Sequence, residues 1–134
     1  MRARLHRHDW TGIGVVLAMA IAAILFREAT IVPRAYVGVC AAAHAPLVCL
    51  PRQAVLWLQY ERLFGLTALV LGLLGFAFAK RWLGVAALAI GVAAVVNYNG
   101  TEGIIGGALG LWGWLEAATP RQAPARNGRR NARQ

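Results

Sequence analysis

The sequence predicts an all-α integral membrane protein, a four-helix bundle, and three observations carry that reading. The chain of 134 residues is 59% hydrophobic and 14% charged, where a soluble domain carries about 25% charged residues. Its mean hydropathy is +0.55. The apolar residues come in blocks divided by short polar turns, rather than spread along amphipathic helices. Residues 1–120 are read as one four-span transmembrane domain and 121–134 as a basic, disordered cytoplasmic tail. Thirteen Arg stand against one Lys, among much Ala and Gly. That bias points to a GC-rich bacterial genome.

The first block, Trp10 to Phe26, follows a short basic segment. It has the outline of a signal peptide, but its apolar core is long and no small-residue cleavage site follows Phe26. A retained first span over 10–27 is expected. The next segment is a loop. Pro33 suits the first turn of a short helix, expected over roughly 34–43 at the membrane surface, and Pro46 ends it. Cys40 and Cys49 both fall in this loop. An oxidising periplasm would join them, closing a ten-residue loop and restricting the unfolded chain by about 2.5–3 kcal/mol.

The stretch from Pro51 to Arg81 organises the rest. Leu63 to Ala79 is seventeen residues without a charge, and Ala54 to Arg62 before it contains no Pro or Gly. One continuous helix there would be about 45 Å long at ~1.5 Å per residue, against about 30 Å of hydrocarbon. The second helix is therefore expected over 54–79, extended into the periplasm by some two to three turns. Lys80 and Arg81 form a basic turn. A third span is expected over 82–98 and a fourth over 103–118, with Asn99-Gly100 as the turn dipeptide between them. Pro120 stops the fourth.

Orientation follows the positive-inside rule. With four spans, the two termini and the 80–81 turn share one side and hold ten of the fourteen basic residues. Both termini are placed in the cytoplasm of a bacterial inner membrane. Trp10, Trp82, Trp112 and Trp114 fall at the cytoplasmic ends, and Tyr36, Tyr60 and Tyr98 at the outer ends.

Small residues recur at helical spacing. Gly103, Gly106, Gly107, Gly110 and Gly113 line the fourth span, Gly84, Ala87, Gly91 and Ala94 the third, and Ala68 and Gly72 the second. Gly14, Ala18 and Ala22 line the first. Such stripes let helix backbones approach closely, so they are the expected packing faces. A polar cluster is expected at the outer ends: Arg27, Glu28, Glu61, Arg62, Asn97 and Glu102. At the bilayer centre each charge would cost roughly 2.5–3.5 kcal/mol; at the interface the cost falls and ion pairs can fix the helix ends. An ion or quinone site is the alternative use of that cluster.

Nothing in the chain announces an enzyme. There is no Ser–His–Asp pattern, P-loop or dinucleotide fingerprint. His6, His8 and His44 lie outside the spans, so haem ligation is not expected, and no carboxylate–His cluster suggests a metal. No cofactor is expected. In helix count and topology the chain resembles the quinone-linked disulfide-generating enzymes, but those use a closely spaced Cys pair plus a second pair in another loop. It is similar in size to the small multidrug exporters, whose mid-membrane carboxylate the first span lacks. The basic tails read as topology signals that touch anionic lipid, not as a nucleic-acid surface. The expected role is a non-enzymatic accessory or assembly subunit of a larger membrane complex. Its partners would be lipids and other membrane-protein subunits, or a homo-oligomer. A small transporter or lipid carrier is the alternative, and a thiol–quinone oxidoreductase the weaker one.

Overall fold

The computed structural model describes residues 7–119, and the expected 121–134 tail lies outside them. Within that range the chain is helical throughout, with six α-helices and no strand. Helix α1, Arg7–Phe26, runs directly into a π-helical turn, Arg27–Ile31. The wider turn is closed by Val32 N–H donating to the Arg27 carbonyl at 3.0 Å, and Thr30 Oγ1 donates back to the Phe26 carbonyl at 2.7 Å. Pro33, with no N–H to offer, stops the run. Helix α2 is Ala35–Ala41, inside the expected 34–43. Cys40 on α2 and Cys49 at the start of the next helix stand at disulfide distance, Sγ–Sγ 2.05 Å.

The second helix is not the single extended rod that the sequence predicts. It is two helices, α3, Cys49–Tyr60, and α4, Leu63–Phe78, bent by 64° at the break. Pro51 sits in the first turn of α3, where a missing N–H costs nothing. At the break Arg62 adopts the left-handed conformation, φ 55° and ψ 20°, which costs a non-glycine residue roughly 1–2 kcal/mol. No Gly or Pro announces the kink, because its cause is tertiary. The side chain of Arg52 donates to the Thr30 carbonyl at 3.0 Å, drawing α3 toward the end of α1. Gly65 is meanwhile seated against Asn99 and Glu102 at the start of the last helix. One straight helix cannot meet both demands.

Helix α4 ends at Ala79, also left-handed at φ 47°, and Lys80 is extended. Helix α5 is Arg81–Val96 and α6 is Gly100–Ala118. In the turn between them the positive φ belongs to Tyr98, at 63°, not to Gly100, which opens α6. Helices α4, α5 and α6 each pack on the other two, while α1 lies mainly along α5, meets α6 through Trp114 and buries only Asp9 and Gly12. The bundle thus has two ends. The Asp9 end gathers the starts of α1 and α5 and the ends of α4 and α6; the Arg27 end gathers the rest.

The interior is made of small residues. Ala68, Gly72 and Gly75 of α4, and Gly84, Ala87, Gly91 and Ala94 of α5, are buried against Gly103, Gly106, Gly110 and Gly113 of α6. A Cβ on Gly72 would run into the Gly106 carbonyl, and one on Gly106 into the backbone of Ala68. Between α5 and α6 a Cβ on Gly110 would lie 2.6 Å from that of Ala87, and one on Gly91 2.7 Å from the Gly103 carbonyl oxygen. Gly107 is different: a Cβ there would meet only Leu88 Cδ1, at 3.5 Å, and the Gly91 Cα at 4.0 Å. Gly14 on α1 has open space around it.

The large apolar side chains point outward. Leu17, Ile21 and Leu25 of α1, Leu66 and Leu73 of α4, and Ile104 and Trp112 of α6 are all exposed. One continuous helix, Arg7–Ile31, is long and apolar enough to cross a bilayer, and α3 with α4 passes the same measure only as one bent span. Helices α4 and α5 have 16 residues each, about 24 Å of helix, short of the usual hydrocarbon thickness of about 30 Å.

Candidate functional site

Of the polar cluster expected at one end of the bundle, part is assembled and part is scattered. Arg27 leaves the π-turn and reaches the α5–α6 turn. It donates through Nη1 to the Val96 carbonyl and through Nη2 to the Tyr98 hydroxyl, and its guanidinium stacks 4.2 Å from the Tyr98 ring centroid. A stacked cation of this kind is worth about 0.5–1 kcal/mol at an exposed site. The contact gives the left-handed Tyr98 a partner that holds it. Asn97 is buried and donates to the Ala93 carbonyl at 2.9 Å, one turn back on its own helix. Arg62 and Glu102 form an ion pair at 3.4 Å, with Arg62 largely exposed. Such surface pairs contribute about 0–1 kcal/mol.

Glu28 and Glu61 stand exposed. Neither side chain makes a hydrogen bond or ion pair with another described residue. Of the interfacial ion pairs expected at the helix ends, the described residues of this cluster form Arg62–Glu102; Arg27 goes to Tyr98 and a carbonyl instead. The reason is geometric. The break at residues 61–62 turns Glu61 outward, and Glu28 projects from the exposed face of the π-turn. Asn99, at the same level, is buried just before α6. Its Nδ2, like the buried Arg27 Nε, has no partner among the described residues.

A second polar site lies at the opposite end, and sequence reading missed it. Asp9 is 4% exposed. Its Oδ1 accepts a hydrogen bond of 3.0 Å from Trp114 Nε1 and lies 3.9 Å from Arg81 Nη1. The Arg81 side chain also donates to the Ala117 carbonyl, at 3.3 Å from Nε and 3.4 Å from Nη2. One carboxylate therefore ties α1 to α5 and α6. Burying an ionised carboxylate is tolerable only with such partners, and the first turn of α1, where the helix dipole favours a negative charge, adds to them. Gly12, one turn on, lets the Trp114 ring lie directly against α1: a Cβ there would stand 2.7 Å from Trp114 Cζ2. A cleft of about 160 Å³ opens beside the site, lined by His8, Arg81, Trp82, Val85 and Trp114. The signal was present in the sequence. Asp9 is the sole acid among the first 27 residues, set in an otherwise basic segment.

Cys40 and Cys49 border a shallow groove of about 270 Å³ between α2 and α3, which Arg52 and Gln53 also line. Among the described residues no group of three or more His, Cys, Asp or Glu comes together. No protein-family model matches the chain, and no curated protein or solved structure is detectably similar to it.

Proposed function

We propose that the chain is an integral membrane four-helix bundle that serves as a non-enzymatic accessory or assembly subunit of a larger bacterial inner-membrane complex. The observation that carries this reading is the inverted distribution of side-chain size. Glycine and alanine, with Val85 and Trp114, fill the interior, while Leu, Ile, Val, Phe and Trp face outward along α1, α4 and α6. Contiguous exposed apolar surface is costly in water. In lipid it costs nothing, and helix association there depends on close backbone packing over small residues. Helix α4 is then the second span, and α4, α5 and α6 cross a bilayer that thins or lets flanking residues reach its interface. The ten-to-four division of basic residues supports cytoplasmic termini, which makes the Asp9 end cytoplasmic and the Arg27 end periplasmic.

Two features support docking rather than transport. The Gly14, Ala18, Ala22 face of α1 is unoccupied, so a partner helix can approach it closely. Glu61, the residue a carrier would place in a cavity between helices, stands on the surface at the break. The test is purification in mild detergent followed by identification of what comes with the chain. A stoichiometric larger assembly is the expected result. A monodisperse homodimer that moves substrate in liposomes would overturn the proposal in favour of the carrier.

A further inference from the structure

The bend between α3 and α4 changes what the disulfide-closed segment can touch. A straight helix would carry it away from the bundle and into water. With α4 close to the membrane normal, α3 leaves it at 64° and so lies nearer the membrane plane than the normal. Its 12 residues make about 18 Å of helix, which at that angle rises only about 8 Å. The headgroup layer on one side of a bilayer is about 5–8 Å deep. Helix α3 therefore stays within that layer along its whole length.

The side-chain pattern of α3 suits the same position. Arg52 fixes the face turned to the bundle through its bond to the Thr30 carbonyl. Leu50, Ala54 and Trp57, at spacings of four and three residues, fall on the opposite face. Leu50 is 66% exposed and Trp57 57%. In an ordinary amphipathic surface helix the apolar face is the hidden one; here the cation is turned in and the apolar stripe out. The preceding segment carries no competing charge. From Ala35 to Leu50 there is no Asp, Glu, Lys or Arg, and Val37 and Leu47 are exposed.

We infer that the α2–α3 hairpin is an interfacial foot, lying in the periplasmic headgroup layer with Leu50 and Trp57 seated at the acyl boundary of phospholipid. The occupant of the exposed face is lipid rather than protein. The tilt keeps the face at headgroup depth, the face carries no charge until Glu61 at its end, where a carboxylate stays solvated among headgroups, and an indole at this level is the usual membrane anchor. The disulfide fixes α2 to the start of α3 so that both helices share that depth. This rests on the membrane reading above.

The test uses the full chain in phospholipid vesicles and compares it with Trp57→Phe, so that the difference spectrum isolates Trp57. Lipid brominated high on the acyl chain should quench that difference at least about two-fold, with external iodide leaving it nearly unchanged, as expected for an indole at the boundary. Quenching by iodide but not by bromine would place Trp57 in water and overturn the inference. Quenching by neither, with a signal that falls as protein is diluted in lipid, would place it against a second copy and also overturn it. Trp82, exposed at the far end, is the control through Trp82→Phe. If bromine reaches Trp82 and not Trp57, the foot fails and the membrane reading stands. If it reaches neither, both fail.

Discussion

Asp9 has the most at stake of any single side chain. A buried carboxylate that loses a donor keeps its desolvation cost and gives up the compensation, a penalty of about 1–3 kcal/mol. Trp114→Phe keeps the aromatic packing on Gly12 and removes only the N–H, so thermal unfolding in detergent should show destabilisation of that size. Adding Asp9→Leu should recover part of it, because the cost of burying the carboxylate goes too. A double variant less stable than the single would mean that the remaining contacts of Asp9, the Arg81 pair at 3.9 Å among them, outweigh its desolvation cost. The same scale explains why half the candidate cluster was readable. Arg27 and Glu102 were placed at the correct end by counting apolar residues. Which partner each would choose was not readable, because it depends on the direction of the helix ends at 61–62 and 97–99.

Elements differ in how plainly the sequence announces them. Uncharged runs and the Lys80-Arg81 turn locate α1, α4, α5 and α6 to within a few residues, and Pro33 locates α2. The α3–α4 break was illegible, since nothing between Ala54 and Arg62 opposes a helix. The left-handed Arg62 is forced by contacts of Arg52 and Gly65 with distant parts of the chain. Arg62 therefore offers a test with a definite sign. Arg62→Gly loses a surface pair worth about 0–1 kcal/mol but relieves a left-handed strain of about 1–2 kcal/mol. Arg62→Ala loses the pair and keeps the strain. Glycine should be the more stable of the two variants by about 1 kcal/mol in detergent unfolding. Equal stabilities would argue that the break relaxes without cost. The helix faces give a second contrast. Gly106→Ala drives a methyl into the Ala68 backbone and should cost about 3 kcal/mol or more. Gly107→Ala meets ordinary contact distances and should be neutral, or stabilising by up to about 1 kcal/mol through helix propensity.

For the molecule as a whole, the decisive property is which solvent its outside expects. Four spans with cytoplasmic termini require a reporter fused after residue 134 to be active only inside, and one inserted within 35–45 only outside. Activity of the C-terminal fusion outside the cell would remove the four-span topology, and with it the assignment of the Arg27 end to the periplasm. Composition made the class of surface legible, and the small-residue stripes were readable because glycine spacing survives any rotation of a helix. Neither reveals that α1 stands apart on α5 while the other three long helices close on one another. That arrangement depends on which stripe meets which, and every stripe has similar spacing.

The seam where Gly72, Gly106 and Gly113 meet facing backbone also has a genetic consequence. Every base change in a glycine codon that alters the residue replaces hydrogen with something larger, and at these positions even a methyl group has nowhere to go. A conventional core can drift through neighbours of similar volume, losing a methylene here and regaining one there. This seam has no such neighbours. The codons for its glycines should therefore vary almost wholly at silent positions, while the codons for the outward leucines and valines exchange freely among apolar residues.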